Sequence, residues 1–411
     1  MQPLASKTIS SHPDGKWSTL KRKRMTEKHN RGEEGPDMPG LNGDGAGAGG
    51  GASPAPNSTT EAPRVKPPAT DAPAPHPEPA VTDFLIRFSA THEEFRLPEI
   101  LAIAEAEGIP LTVLEYTTTS PFCLVRLPGT AAAQRLIRRS ILAQSIHEFW
   151  ASGADLAALH AAMREHTAAL WPRHATASFR ILIDSFYGKR AQADRVAVIN
   201  SFGYLPWRGA IRMADPDETF TVFEEWPRDA RVRGLPDPDR LLFGRFVGTS
   251  ARELVNRYDL KKRRYISTTS MDAELSLVTA NLALAGPGKL VYDPFVGTGS
   301  FPLACAHFGA TVFGSDIDGR SIRGRGADGR PGSGDPEQCL KANFTQYGLL
   351  GRFGDAFSAD LTNSPICAGR RVFDAIVCDP PYGVREGLHV LGCRDPEKTP
   401  WAVEAGAKHW R

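Results

Sequence analysis

From Val81 onward the chain switches between two hydrophobic periods. Asp83–Ser89 (DFLIRFS) reads as a half-buried strand, with apolar side chains recurring at alternate positions. Leu97–Glu107 repeats its apolar residues at helical spacing and stops at Gly108. Strand-like runs follow at Leu111–Thr117 and Phe122–Leu127, then a helix from about Thr130 to Arg139 and a strand at Gln144–Trp150. The order β-α-β-β-α-β predicts a ferredoxin-like α+β domain over residues 81–170. The next segment, 171–250, carries strands at Ser178–Phe186, Thr219–Trp226 and Leu241–Val247 and a helix at Ala191–Phe202. From Met271 the pattern becomes strict alternation. Helices are expected at Ala273–Ala285, Ser300–Phe308 and Pro336–Tyr347. Strands are expected at Lys289–Asp293, Thr311–Asp316, Phe353–Asp360 and Val372–Asp379. Such alternation implies a parallel, doubly wound sheet over residues 271–411, with ligands at the carboxyl ends of its strands.

Composition changes the picture at the N-terminus. Residues 1–80 hold 13 of the 33 prolines, and Trp17 is their one aromatic residue. Such a segment has too little apolar surface to offset its ordering entropy, so a disordered tail is expected. Within it, Lys21–Arg24 (KRKR) reads either as a solvated charge run or as an import signal or nucleic-acid arm. A second basic stretch, Arg252–Tyr265, interleaves six cationic residues with Tyr258 and Tyr265 across the expected linker 251–270. It suits a nucleic-acid backbone, or equally a solvated connector. The net charge of +2 decides nothing. The six cysteines form no Cys-x-x-Cys pair, so neither a metal site nor a disulfide framework is indicated. No apolar run reaches the roughly 18–20 residues of a membrane helix, and the start of the chain is no secretory signal. A reducing, cytoplasmic setting and no membrane association are expected.

Three signals sit at carboxyl ends of the expected parallel strands. In Asp293–Ser300 (DPFVGTGS), Gly297 and Gly299 let backbone approach a ligand ahead of a helix N-terminus. The pattern fits neither a phosphate loop nor a dinucleotide fingerprint, since no Gly-Lys-Ser/Thr follows and Pro302 stands at the third glycine position. Asp293 suits a positive amino group such as that of methionine. In Gly314–Asp318, Asp316 can accept hydrogen bonds from two ribose hydroxyls, with Asp318 as the other candidate or as a helix cap. In Asp379-Pro380-Pro381-Tyr382, two prolines remove two N–H donors and leave carbonyl acceptors. The Asp379 carboxylate and the Pro380 carbonyl can each accept one N–H of an exocyclic amine, while Tyr382 stacks on the base. That aims the nitrogen lone pair at a methyl sulfonium and needs neither a metal nor a covalent nucleophile.

Together with Tyr265–Asp272 (YISTTSMD), Asp184–Lys189 (DSFYGK) and Ser201–Gly209 (SFGYLPWRG), these motifs resemble the THUMP-domain methyltransferases that form N2-methylguanosine at position 10 of tRNA. The resemblance runs from about Val81 to the last residue. It implies ferredoxin-like and THUMP domains that grip tRNA, followed by a Rossmann-like α/β methyltransferase domain using S-adenosylmethionine. It also implies roles. Asp293, Gly297 and Gly299 line the methionine part, with Thr269 and Ser270 near its carboxylate. Asp316 takes the ribose and Asp360 the adenine amine. Asp379, Pro380 and Tyr382 hold the target guanine. A small zinc-binding activator subunit is the implied partner. The family adds three strands after Asp-Pro-Pro-Tyr, whereas the residues after Asp379 here read as loop, turn and a short helical tail. A C-terminally truncated sheet is therefore expected, with Ile376 and Val377 at an uncovered edge. The other readings are a tRNA-binding fragment without catalysis and an amine methyltransferase acting on another nucleic acid, such as DNA adenine.

Overall fold

The structure is a computed structural model that describes residues 82–267, 269–324, 338–361, 364–366, 369–382, 389–390 and 408–409. The expected tail 1–80, residues 325–337 of the Gly/Arg-rich loop, and most of the segment after Tyr382 lie outside the described residues.

The first half is one seven-stranded sheet. Its strands are β1 (Thr82–Phe88), β2 (Thr112–Tyr116), β3 (Phe122–Leu127), β4 (Ala143–Gly153), β5 (Phe179–Phe186), β6 (Glu218–Glu225) and β7 (Arg240–Thr249), in the order β2-β3-β1-β4-β7-β6-β5. Only β5 and β6 run parallel to each other. The strand β4 exceeds its expected length. It pairs with β1 through Ala143–Glu148 and with β7 through Ser145–Gly153, so the two expected segments share a sheet. Its helices are α1 (Arg96–Ala106), α2 (Thr130–Ile137), α3 (Leu156–His166), α4 (Gln192–Asn200) and the short α5 (Ala230–Arg233). The sequence reading did not anticipate α3. Asp155 starts it by accepting a 2.8 Å hydrogen bond from the Ala158 N–H, and only Leu159 and Met163 are buried, too sparse a pattern to stand out.

Alternation along β1 divides the core. Phe84, Ile86 and Phe88 pack against α1 and α2, whereas Leu85 faces the other way, to Phe122, Phe186, Phe223 and Leu242. Burying each such side chain contributes about 1.5–3 kcal/mol. A second core under α3 and α4 gathers Trp150, Phe220, Val222 and Phe243. The face that carries Leu85 closes on itself. Strands four places apart in a flat sheet would be separated by about 19 Å. Yet Arg87 of β1 bonds Asp184 of β5 at 3.0 Å, and Arg240 of β7 bonds Glu115 of β2 at 3.0 Å. The rings of Phe122 and Phe223, on β3 and β6, are 5.5 Å apart. The sheet is therefore strongly rolled. His147 lies inside the roll, and burial, with the Arg87 charge adding, pushes its pKa down to about 3.

The segment 251–270 packs rather than floats. It forms α6 (Glu253–Arg257) and a 3-10 turn at Leu260–Lys262, and Leu254 and Tyr258 join the core of the second half. Arg263 is buried and donates to Ser300 Oγ at 2.7 Å, so two of the residues of the basic, aromatic stretch face inward.

The second half has α7 (Ala273–Leu282), β8 (Leu290–Asp293), α8 (Ser300–His307), β9 (Thr311–Asp316), α9 (Gly319–Arg323), α10 (Leu340–Gln346), β10 (Phe353–Ser358) and β11 (Ala375–Ile376). The strands are all parallel, in the order β10-β9-β8-β11. Two further two-residue strands, β12 (His389–Val390) and β13 (Lys408–His409), pair with each other. The fourth strand is shorter than the expected Val372–Asp379. Only β8 pairs with it among the described residues, through Asp374 N to Leu290 O and Val377 N to Tyr292 O. Ile376 is 64% exposed, whereas Val377 turns into the core.

Candidate active site

Parallel pairing brings the carboxyl ends of the strands to one edge. Ser358 pairs with Asp316, and Gly314 pairs with Asp293. Asp360 follows β10 by two residues, Asp379 follows β11 by three, and both therefore reach the same edge as Asp293 and Asp316.

The turn after β8 is built on two left-handed glycines. Gly297 has φ +48° and Gly299 φ +85°, and a Cβ on Gly299 would lie 2.4 Å from Leu340 Cδ1 of α10. Neither the backbone nor the packing tolerates a side chain there. Gly299→Val is expected to destabilise the fold by about 1–3 kcal/mol, seen as a lower urea midpoint. An unchanged midpoint would show that the turn is not tightly packed.

Asp316 ties this turn to the next. Its Oδ2 accepts from the Gly297 N–H at 2.9 Å and its Oδ1 from the Asp318 N–H at 2.8 Å. Asp318 is committed as a cap: it accepts from the Arg320 N–H at 3.0 Å and from the Arg320 side chain at 2.7 and 2.8 Å. Of the two acids in that motif, Asp316 is thus the one joined to the glycine turn. Ser270 also reaches the turn, with its hydroxyl 2.7 Å from Thr298 Oγ1, while Thr269 is exposed beside Ser267.

Asp293 is 2% exposed and its Oδ1 accepts from the Phe295 N–H at 2.9 Å. Burial is the main force on it, and the nearby carboxylates of Asp316 and Asp379 add repulsion, so its pKa is raised from 3.8 to about 8. The sign follows directly. A carboxyl raised in the fold contributes stability that is present below about pH 4 and lost as pH rises through about 8. A cationic ligand group needs the ionised form. Its affinity is therefore expected to rise up to about tenfold per pH unit below 8, and to lose that dependence in Asp293→Asn, as measured by calorimetric titration. A flat profile in the unsubstituted protein would contradict this.

Asp379 is partly exposed, Pro380 is exposed and Tyr382 is 74% exposed, an open platform at the rim. Asp360, by contrast, is 3% exposed.

Sequence reasoning missed the residues that brace the site. Asn343 of α10 is fully buried and donates to Thr298 O at 3.0 Å and Tyr265 O at 2.8 Å, while its Oδ1 accepts from the Tyr265 N–H at 3.0 Å. It joins the segment ahead of Thr269 to the glycine turn. Gln346, one turn on, bonds Lys262 O and the Arg264 N–H. Tyr292 stacks on Phe373 at 4.9 Å and shares a 2.6 Å hydrogen bond with Ser315, locking β8 to β9 beneath the edge. An isolated amide on a short helix carries no pattern that announces this.

A parallel sheet with the first strand central, a glycine turn after it, and an acid at each strand's carboxyl end define a Rossmann-like methyltransferase domain. Residues 82–252 match the family described as the Tmrp11 THUMP N-terminal domain. A tRNA (guanine(10)-N(2))-methyltransferase of Saccharomyces cerevisiae is 41% identical over 320 residues, which cover 77% of this chain and 71% of the relative. The protein of that name from Schizosaccharomyces pombe is 37% identical, covering 74% of this chain and 69% of its own. The one from Gallus gallus is 35% identical, covering 76% and 68%. The chain belongs to the tRNA (guanine(10)-N(2))-methyltransferase family.

Proposed function

We propose that this protein transfers a methyl group from S-adenosylmethionine to the exocyclic N2 amine of guanosine at position 10 of tRNA. The observation that carries the reading is that the parallel strands bring the buried Asp293, the Asp316-braced glycine turn and Asp379 to one sheet edge.

The residues present fit the cofactor. Asp293, buried and held by one backbone N–H, suits a positive amino group. Gly297, whose side-chain direction is open, admits its close approach, Gly299 sets the left-handed turn against α10, and the Ser270–Thr298 hydroxyl pair suits the methionine carboxylate. Asp316, at the carboxyl end of β9 and bonded to the glycine turn, suits the ribose hydroxyls, and Asp360 suits the adenine amine. When bound, the cofactor supplies an electrophilic methyl on a sulfonium.

The chain's own task is orientation. Guanine N2 is a poor nucleophile because its lone pair is delocalised into the ring. The Asp379 carboxylate and the Pro380 carbonyl each accept one of its two N–H groups. The lone pair then points at the methyl, and the carboxylate balances the positive charge that develops on the nitrogen. The exposed Tyr382 stacks on the base, worth about 1–3 kcal/mol.

The seven-stranded sheet is the tRNA-gripping part, shared by the ferredoxin-like (81–170) and THUMP (171–250) modules, with Trp150, Leu159 and Met163 of the first packed into the core of the second. A small zinc-binding activator subunit and a cytoplasmic setting complete the reading. No helix among the described residues is long and apolar enough to cross a membrane. The test is incubation with unmodified tRNA and a labelled methyl donor, with and without the activator. Label in tRNA is expected. Its absence under both conditions overturns the reading.

A further inference from the structure

The contact between the two halves holds a closed set of polar groups. Glu99 of α1 is fully buried, and four donors converge on its two oxygens. Oε2 accepts from Ser140 Oγ and the Leu142 N–H, each at 2.9 Å. Oε1 accepts from the Ile141 N–H at 2.9 Å and from Asn281 Nδ2 of α7 at 2.8 Å. Asn281 is also fully buried and fully used. Its Nδ2 gives a second bond to Arg139 O at 3.2 Å, and its Oδ1 accepts from Arg139 Nε at 2.8 Å. Arg139 in turn donates to Ala285 O and places its guanidinium 4.6 Å from the Phe308 ring. Alongside, Arg252 bridges Ile141 O at 3.0 Å and Glu274 at 2.9 Å, and Thr91 of the first half donates to Glu274 at 2.6 Å.

Two features set this apart from ordinary packing. The connector that carries Arg139 also inserts Ile141 and Leu142, both fully buried, into the core of the second half. And the polar groups are satisfied in a single register. An apolar contact slides at small cost, whereas displacing Asn281 from Glu99 and Arg139 strands a buried carboxylate and a buried amide.

We propose that Glu99, Asn281 and Arg139 are positioning residues that lock the RNA-gripping half to the methyl-transfer half, so that a gripped RNA presents one nucleotide, and not its neighbours, to Asp379. The proposal rests on the function given above. It places the choice of nucleotide partly in the contact between the halves: the first half fixes where the RNA sits, and the clasp fixes how far that is from the carboxyl edge of the second sheet.

Asn281→Asp sets a second carboxylate against Glu99, and Asn281→Leu keeps volume while removing all three bonds. A donor and an acceptor fluorophore, installed through non-natural amino acids at the exposed Val232 and Leu361, report the distance between the halves. Both variants are expected to widen that distance distribution and leave tRNA and S-adenosylmethionine dissociation constants within about twofold. Transfer at the target guanosine is expected to fall at least tenfold, with methyl appearing at neighbouring guanosines. An unchanged distribution overturns the proposal. So does a widened one with unchanged transfer, or a loss of both binding steps in parallel. If a variant fails to fold, Arg139→Lys, which keeps the charge but loses the Nε bond to Asn281, gives the same reading in milder form. If the unsubstituted protein transfers no methyl to tRNA, the functional reading has failed, and the distance distribution alone decides the clasp.

Discussion

Asp379→Ala is expected to lower methyl transfer about 10³-fold while the dissociation constants for tRNA and S-adenosylmethionine stay within about threefold. The reason lies in what the substitution removes. Asp379 stands past the end of β11 with little burial to maintain, so the fold loses nothing of weight. On the proposed mechanism, the reaction loses the acceptor that orients the amine and the charge that balances the methylated nitrogen. Removing one such oriented partner costs about 10²–10³ in rate, and a misplaced lone pair adds to that. Asp379→Asn is the sharper probe, because its amide offers an oxygen to one N–H but no negative charge. An intermediate rate is expected. If tRNA binding falls as far as transfer does, Asp379 is structural and the mechanism is wrong.

The second large effect is expected at Asp316. Asp316→Ala removes the acceptor for the Gly297 and Asp318 N–H groups, each bonded at under 3.0 Å. Hydrogen bonds to a charged group are worth about 1.5–3 kcal/mol each, and the turn they hold is the one the cofactor would approach. S-adenosylmethionine affinity is therefore expected to fall about 10²-fold or more by calorimetric titration, with tRNA affinity unchanged. A second consequence separates this from simple loosening. Burial is the main cause of the raised Asp293 pKa, and the Asp316 charge is one of the two carboxylates that add to it. Without it, the pH midpoint of cofactor binding should move below about 8. A weakened affinity with the midpoint unmoved would mean that the two carboxylates do not act on one ligand.

Much of the site was legible because its chemistry is local. Asp293 and Asp316 each end a strand whose apolar run is visible in sequence, Gly297 and Gly299 follow the first of them, Asp379 lies three residues past β11, and parallel strands carry such ends to one edge whatever the loops do. The β-α-β-β-α-β order was legible for the same reason: period and punctuation are written within ten residues. What sequence did not reveal is non-local. The roll of the large sheet depends on pairs such as Arg87–Asp184 and Arg240–Glu115, which no short-range pattern foretells. The strand ending before Asp379 was read too long because an apolar run does not show whether a neighbour pairs with it. Arg263 and Tyr258 looked like part of a basic, aromatic surface, yet both are buried, since charge density in sequence says nothing of direction. The braces Asn343 and Asn281 are single amides whose partners lie tens of residues away or more.

The measurement closest to the central claim is nuclease digestion and mass spectrometry of tRNA incubated with the protein, the proposed activator and labelled S-adenosylmethionine. The expected result is N2-methylguanosine at position 10, absent when Asp379→Ala replaces the unsubstituted protein. Methyl on another atom or base, or the same product from Asp379→Ala, would contradict the account.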